Sequence, residues 1–142
     1  MPAVTSISSV GKEPMGRIVS SVRIENAVDP SKSIRCDALV DTGAAYMVLP
    51  LAWKERLGNL QTMDRVEVET ATQETVPAEI CGPVKIQLEG FRAIHTEVLF
   101  MEMQPREGAY EALIGYLVLE QSQAAVDMLG HRLIHVRFVD LK

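Results

Sequence analysis

Asp41-Thr42-Gly43-Ala44 is the group of residues in this chain best placed to do chemistry. The apolar run Ala38-Leu39-Val40 leads into it, and Met47-Val48-Leu49-Pro50 leads out. Burying an unpaired charge is unfavourable by roughly several kcal/mol, so a carboxylate at the end of an apolar strand pairs, protonates or does chemistry. For a carboxyl group that chemistry is proton transfer. Asp-Thr-Gly alone arises by chance in about three of every hundred chains of this length. Its apolar frame therefore carries more weight than the tripeptide. The motif occurs once: neither Asp29, before Pro30, nor Asp127, before Met128, is followed by Thr-Gly.

The elements around the motif read mostly as strands. Arg17 to Ile24 alternates, with Ile18, Ser20, Val22 and Ile24 on one face, and Ile34 to Val40 delivers Asp41. Pro50 to Gly58 reads as a short helix, with Pro in its first turn, Arg56 in its last and Gly58 ending it. Val66 to Thr70 alternates apolar and charged side chains, as a half-buried strand does. A polar turn at Thr72-Gln73-Glu74-Thr75 follows, and the chain returns through Val76 to Cys81. A next strand carries Val84, Ile86 and Leu88 and turns at Glu89-Gly90 into Phe91 to Phe100. Met101 to Ala109 holds Pro and Gly and reads as a loop. Ala112-Leu113-Ile114-Gly115 is a short apolar strand, with a turn or two of helix over Tyr116 to Gln121. Ala124 to Met128 and Leu133 to Val139 form a closing hairpin around Leu129-Gly130. Short strands at this spacing predict an all-β fold, a small barrel or sandwich with one or two short helices.

With these motifs in order, the chain resembles the retropepsin-like aspartic proteases, the single-lobed, homodimeric relatives of retroviral proteases. Ala38 to Ala44 followed by Val48-Leu49 is one motif, and Ala112-Leu113-Ile114-Gly115 is the other. The resemblance spans roughly Arg17 to Arg137, and bacterial members are similar in length and layout. It implies a small closed acid-protease barrel over residues 17–142; residues 1–16, rich in Ser, Gly, Pro and Thr, read from composition as a mobile arm or edge strand. It implies that Asp41 is the catalytic aspartate and that the Thr42 hydroxyl bonds across the dimer axis. Gly43 lets the backbone come close to substrate and water, Ala44 lies beside the substrate backbone, and Gly115 supports the loop from below. The hairpin tip at Thr70, Ala71, Thr72, Gln73 and Glu74 takes the place of the substrate-binding flap. Two positions depart from the family. The tip has no glycine, and Tyr116 stands where retroviral members place Arg, offering a phenol instead of an ion pair.

The chemistry agrees with that assignment. Peptide hydrolysis without a metal or a covalent intermediate needs a base to activate water and an acid to protonate the carbonyl, then the amine. Two adjacent carboxyls sharing one proton hold both states at once. With one Asp-Thr-Gly per chain, the second carboxylate must come from a second copy, and a two-fold dimer brings identical loops together on its axis. The expected activity is that of an aspartic endopeptidase, active as a homodimer on peptide or protein substrates and needing no cofactor or metal. The alternative is a catalytically weak or inactive module of the same fold that dimerises or binds peptides. A small-molecule-binding barrel would leave Asp-Thr-Gly unexplained.

Composition narrows the partners. The 142 residues suffice for one core. A net charge of −5 with scattered basic residues argues against nucleic acid. The longest apolar stretch, Ala112 to Leu119, is far short of a membrane span, and no secretory pattern opens the chain. Cys36 and Cys81 make no disulfide framework and read as buried thiols, which suits a reducing cytoplasm. His131 and His135 are four apart in a strand, roughly 13 Å, too far to share an ion. They and His95 read as surface or edge residues. Trp53 and Leu57 read as packing for the short helix, and Glu67, Glu69, Glu74 and Glu79 as a solvated hairpin face.

Overall fold

The computed structural model describes residues 4–6 and 17–136. Its strands are β1 (Val4–Ser6), β2 (Val19–Asn26), β3 (Ser33–Val40), β4 (Met47–Pro50), β5 (Gln61–Glu69), β6 (Thr75–Leu88), β7 (Ala93–Met101), β8 (Ala112–Ile114), β9 (Ala124–Asp127) and β10 (Arg132–His135). A 3-10 helix runs over Leu51–Leu57, and α1 covers Tyr116–Ser122. Apart from Val4–Ser6, the arm expected at 1–16 lies outside the described residues, as does the end of the closing hairpin beyond Val136.

Six strands close a barrel in the order β6-β2-β3-β8-β4-β7, with β7 returning to β6. The alternation noted in β2 places Val22 and Ile24 in the core, paired across from Cys36 and Ile34 of β3. Asn26 ends β2 buried, and its amide organises the turn to β3. Its Oδ1 accepts from the Val28 and Asp29 amides, and its Nδ2 donates to the Leu57 carbonyl at 2.8 Å. The hairpin turn is thereby tied to the end of the 3-10 helix. Leu57 is fully buried, and Trp53 packs on the same core, edge-on to Tyr110 with the Arg56 guanidinium 5.1 Å from its ring centre.

Several boundaries differ from the sequence reading. Pro50 ends β4 in extended backbone (ψ 139°) and precedes the helix, which starts at Leu51 and is 3-10. The strand read from Val76 to Cys81 and the next one, carrying Val84, Ile86 and Leu88, are one strand, β6. Gly82-Pro83 punctuates the sequence without ending the strand. The β7 ladder shifts register there, between Cys81 and Val84, because proline has no N–H to give. Ahead of this point β6 pairs with β5 over Thr75 to Gly82, and where it precedes the β7 ladder, at Thr75 to Pro77, it forms with β5 a hairpin that projects from the barrel.

Among the described residues, the buried apolar side chains form two clusters. The larger is the barrel interior, with Ile24, Ile34, Leu49, Ile86, Phe100 and Ile114 among its members. The second joins Leu39, Ala44, Val48, Leu99 and Leu113 to Val66, Val68, Ala78 and Ile80 of the projecting hairpin. In β8, Leu113 belongs to the second cluster while Ala112 and Ile114 belong to the first, as a period of two requires.

Candidate active site

Asp41 follows β3 directly, and β8 sets its position. β8 runs parallel to β3 (Val40 opposite Ile114) and also pairs with β4 at Val48 and Leu113. The strands entering and leaving the Asp41 loop are thus held apart by a third strand between them. The Asp41 amide donates to the Ile114 carbonyl at 2.9 Å, carrying the ladder one residue past β3. The Asp41 carboxylate Oδ1 accepts the Gly43 amide at 2.9 Å, and the Ala44 amide donates to the Asp41 carbonyl at 3.1 Å. Asp41 is only 3% exposed and Ala44 is fully buried, whereas Thr42 and Gly43 are open to solvent.

Gly115 lies against this loop. A Cβ there would stand 2.5 Å from the Ala45 carbonyl group and closer still to the Tyr46 carbonyl oxygen, so no side chain fits. The next two amides, at the start of α1, donate to the loop: Tyr116 to the Ala44 carbonyl at 2.9 Å and Leu117 to the Ala45 carbonyl at 3.0 Å. Helix-start amides have no partner within their own helix, so the loop carbonyls satisfy both elements. The Tyr116 side chain, at the position given to Arg in retroviral proteases, is 42% exposed.

The structure therefore brings Asp41, Thr42, Gly43, Ala44 and Gly115 together. The hairpin tip is a separate unit, closed on itself. The Thr70 amide donates to the Glu74 carbonyl at 2.8 Å and the Gln73 amide to the Thr70 carbonyl at 2.9 Å, while the Thr70 hydroxyl reaches the Glu74 carbonyl and the Thr72 hydroxyl. Gln73 takes φ 65°, the left-handed conformation that a tip glycine would adopt without strain. Ala71, Thr72, Gln73 and Glu74 are exposed, and the hairpin meets the loop through its base, in the second apolar cluster.

Three features escaped the sequence reading. The apolar wall of Leu39, Val48, Leu99 and Leu113 around Ala44 was legible only as alternation within strands already taken as core. Glu79 is not part of a solvated face: it pairs with Lys54 of the 3-10 helix at 2.5 Å and with Arg65 of β5 at 2.9 Å. The Lys54 hydrogen bond holds its carboxyl below the usual range. Arg17, just before β2, pairs with Glu111, just before β8, a contact across 94 residues with no local signature.

The remaining ionisable groups have structural surroundings. Burial pushes the Tyr46 phenol upward, with Glu97, Asp64 and Tyr116 adding to the shift. Burial raises the Cys36 thiol to about 11 and also lifts Cys81, so both stay protonated. His95 and His131 are exposed, and His135 stacks on Phe91 with ring centres 4.3 Å apart. A cavity of about 630 Å³ opens between the 3-10 helix and the hairpin base, beside Leu51, Lys54, Arg65 and Pro77, and Asp41 does not line it. No helix among the described residues is long and apolar enough to cross a membrane.

Comparison with known proteins gives the same frame. EIAV protease, solved with the inhibitor HBY-793, superposes with a TM-score of 0.52 at 24% identity, over 78% of this chain and 92% of that one. The retroviral protease-like domain of Ddi1 from Leishmania major superposes with a TM-score of 0.52 at 20% identity, over 85% of this chain and 90% of that one. No curated protein matches the sequence. At these identities the superpositions establish the fold, a retropepsin-like barrel. Residues 20–118 match the family described as aspartyl protease, most of the barrel and both motifs, and the chain belongs to that family.

Proposed function

We propose that the protein is an aspartic endopeptidase, active as a homodimer in which the Asp41 side chains of the two copies form one acid–base pair. The observation that carries this reading is the construction around Asp41. A single carboxyl is buried at the end of β3 with Oδ1 fixed by the Gly43 amide, and the adjoining Thr42 and Gly43 are open to solvent. An exposed loop edge beside a buried carboxyl suits a two-fold axis, where the partner's identical loop completes the pair.

Two facing carboxyls hold one proton between them, because both cannot ionise at such range. The ionised member takes a proton from water as the water oxygen bonds to the peptide carbonyl carbon. The protonated member gives its proton to the carbonyl oxygen, forming a tetrahedral diol. Transfer of a proton to the amide nitrogen then lets the C–N bond break, releasing an acid and an amine. Substrate lies extended between the hairpin, over Glu69 to Ala78, and the Asp41 loop, recognised by backbone hydrogen bonds with alternate side chains in apolar pockets. Leu113 and Val48, buried next to Ala44, back that loop from within the second apolar cluster.

Asp41→Asn tests the proposal, because it keeps shape and removes the charge. Cleavage should fall by at least about 10²-fold. The dimer should persist in sedimentation, since an amide pair has no mutual repulsion. Unchanged cleavage would remove Asp41 from the mechanism. Wild type that binds peptides yet cuts none at any acidic pH would instead mark a peptide-binding module of the same fold. In the enzyme reading, cleavage follows a bell on the acidic side of neutrality, as one proton shared by two carboxyls requires. Activity should fall on dilution as the dimer dissociates, and cleavage by a sedimenting monomer would break the half-site argument.

A further inference from the structure

The projecting hairpin has two outer edges, and they are not equivalent. β6 pairs with β7 from Ala78 onward, so its outer edge beyond the barrel is Thr75 to Pro77. Pro77 has no N–H, which makes that edge a poor template for another strand. The outer edge of β5 at Glu67 to Glu69 has a full set of backbone donors and acceptors, and β1 occupies it. Val4, Thr5 and Ser6 run parallel to β5, opposite Glu67, Val68 and Glu69. An open strand edge is where an extended peptide adds by backbone hydrogen bonding. The segment that fills it suits the place. Residues 1–11 carry no charged side chain, and Val4 and Thr5 are β-branched, so nothing like-charged is brought to Glu67 and Glu69.

We infer that the β5 edge of the hairpin is a strand-accepting surface, and that the chain's own N-terminal strand β1 is its resident occupant, which an incoming extended peptide must displace. The functional consequence rests on the peptide-cleaving reading above: β1 then acts as a built-in competitor of substrate. The pairing itself does not depend on catalysis. A three-residue parallel strand makes few hydrogen bonds, so its displacement is a modest equilibrium that a longer peptide can win.

The test uses the full chain with Asp41→Asn, so that no probe is consumed, with and without Val4→Pro and Thr5→Pro together. One of any two successive amides in a strand faces its neighbour, so the pair of prolines removes at least one β1 donor to β5 whichever set faces it. Amide hydrogen exchange over Val66–Thr70 should quicken in the proline variant while the barrel strands stay protected. A labelled peptide of residues 1–10, Met-Pro-Ala-Val-Thr-Ser-Ile-Ser-Ser-Val, should bind the proline variant more tightly by anisotropy. The expected gain is about tenfold, the factor for an edge that is free one-tenth of the time in the unsubstituted chain. Val4→Gly with Thr5→Gly lowers strand propensity without a ring and should move both readouts the same way by less. Unchanged exchange at Val66–Thr70 would overturn the inference. So would faster exchange with unaltered peptide affinity, because the vacated edge would then not accept a strand. A protein that shows both effects yet cuts no peptide keeps this inference and loses the endopeptidase reading.

Discussion

Around Asp41 the chain is held by backbone on three sides: the Ile114 carbonyl, the first amides of α1 and the Gly43 amide. At the hairpin tip, Thr70 to Glu74, the bonds close within the turn itself, and one residue sits in a left-handed conformation. The difference teaches how the two regions divide their work. The position of the Asp41 carboxyl is set by backbone bonds, beside a Gly115 that has no room for a Cβ. The hairpin is anchored at its base, through Val66, Val68, Ala78 and Ile80, while its tip is exposed.

The largest break in this contrast should come from Gly115→Ala. The added methyl meets backbone carbonyls of Ala45 and Tyr46, which cannot swing aside as a side chain can. The expected loss is at least about 3 kcal/mol of stability, because overpacking against backbone has no soft direction. Urea unfolding measures it. A variant as stable as wild type would mean the loop yields, and the contrast between rigid floor and free hairpin would fail.

A smaller effect is expected at the hairpin base, where Glu79 ties β6 to Lys54 of the 3-10 helix and to Arg65 of β5. Glu79→Gln should lower stability by about 0.5–1 kcal/mol, the range for partly exposed pairs. The sign with pH follows from the lowered carboxyl. A depressed folded-state pKa contributes stability that is fully present above the ordinary carboxylate value and is lost as pH falls through the folded value. Melting curves of wild type and variant should therefore differ at neutral pH and converge in acid. Curves that stay equally far apart in acid would show that the contribution of Glu79 is not electrostatic.

The smallest effect is expected at the tip. A left-handed non-glycine residue costs about 1–2 kcal/mol, and glycine loses roughly 0.5–1 kcal/mol more chain entropy on folding. Gln73→Gly should thus stabilise by about 0.5 kcal/mol, the difference between the two effects. A small rise in melting temperature would register it, and a fall would mean the Gln73 side chain contributes something that its backbone strain hides.

Much of the candidate site was legible in the sequence because its signals are local. Asp-Thr-Gly in an apolar frame, the Ala112 to Gly115 segment and the polar tip at Thr72 to Thr75 are contiguous stretches whose residue types state their conformations. The strand boundaries failed where punctuation misled: Gly82-Pro83 reads as a break between two strands, yet ladders on both sides of it keep β6 whole. Pro50 suits a first helical turn equally well as the end of a strand, and the β7 ladder decided for the strand.

What remained invisible depends on residues far apart in the chain. Alternation in β8 told that Leu113 faces away from Ala112 and Ile114, but not that hairpin strands cover that other face. Glu79 in an acidic, alternating stretch looked solvated, and only the packing of the 3-10 helix beside β6 brought Lys54 to it. Composition marked residues 1–16 as an arm or an edge strand, and of these the parallel ladder seats Val4–Ser6 opposite Glu67, Val68 and Glu69. A sequence determines the period and chemistry of each segment, because these follow from neighbouring residues. Which edges and faces meet is decided by closure of the barrel, where every strand must find its partners at once.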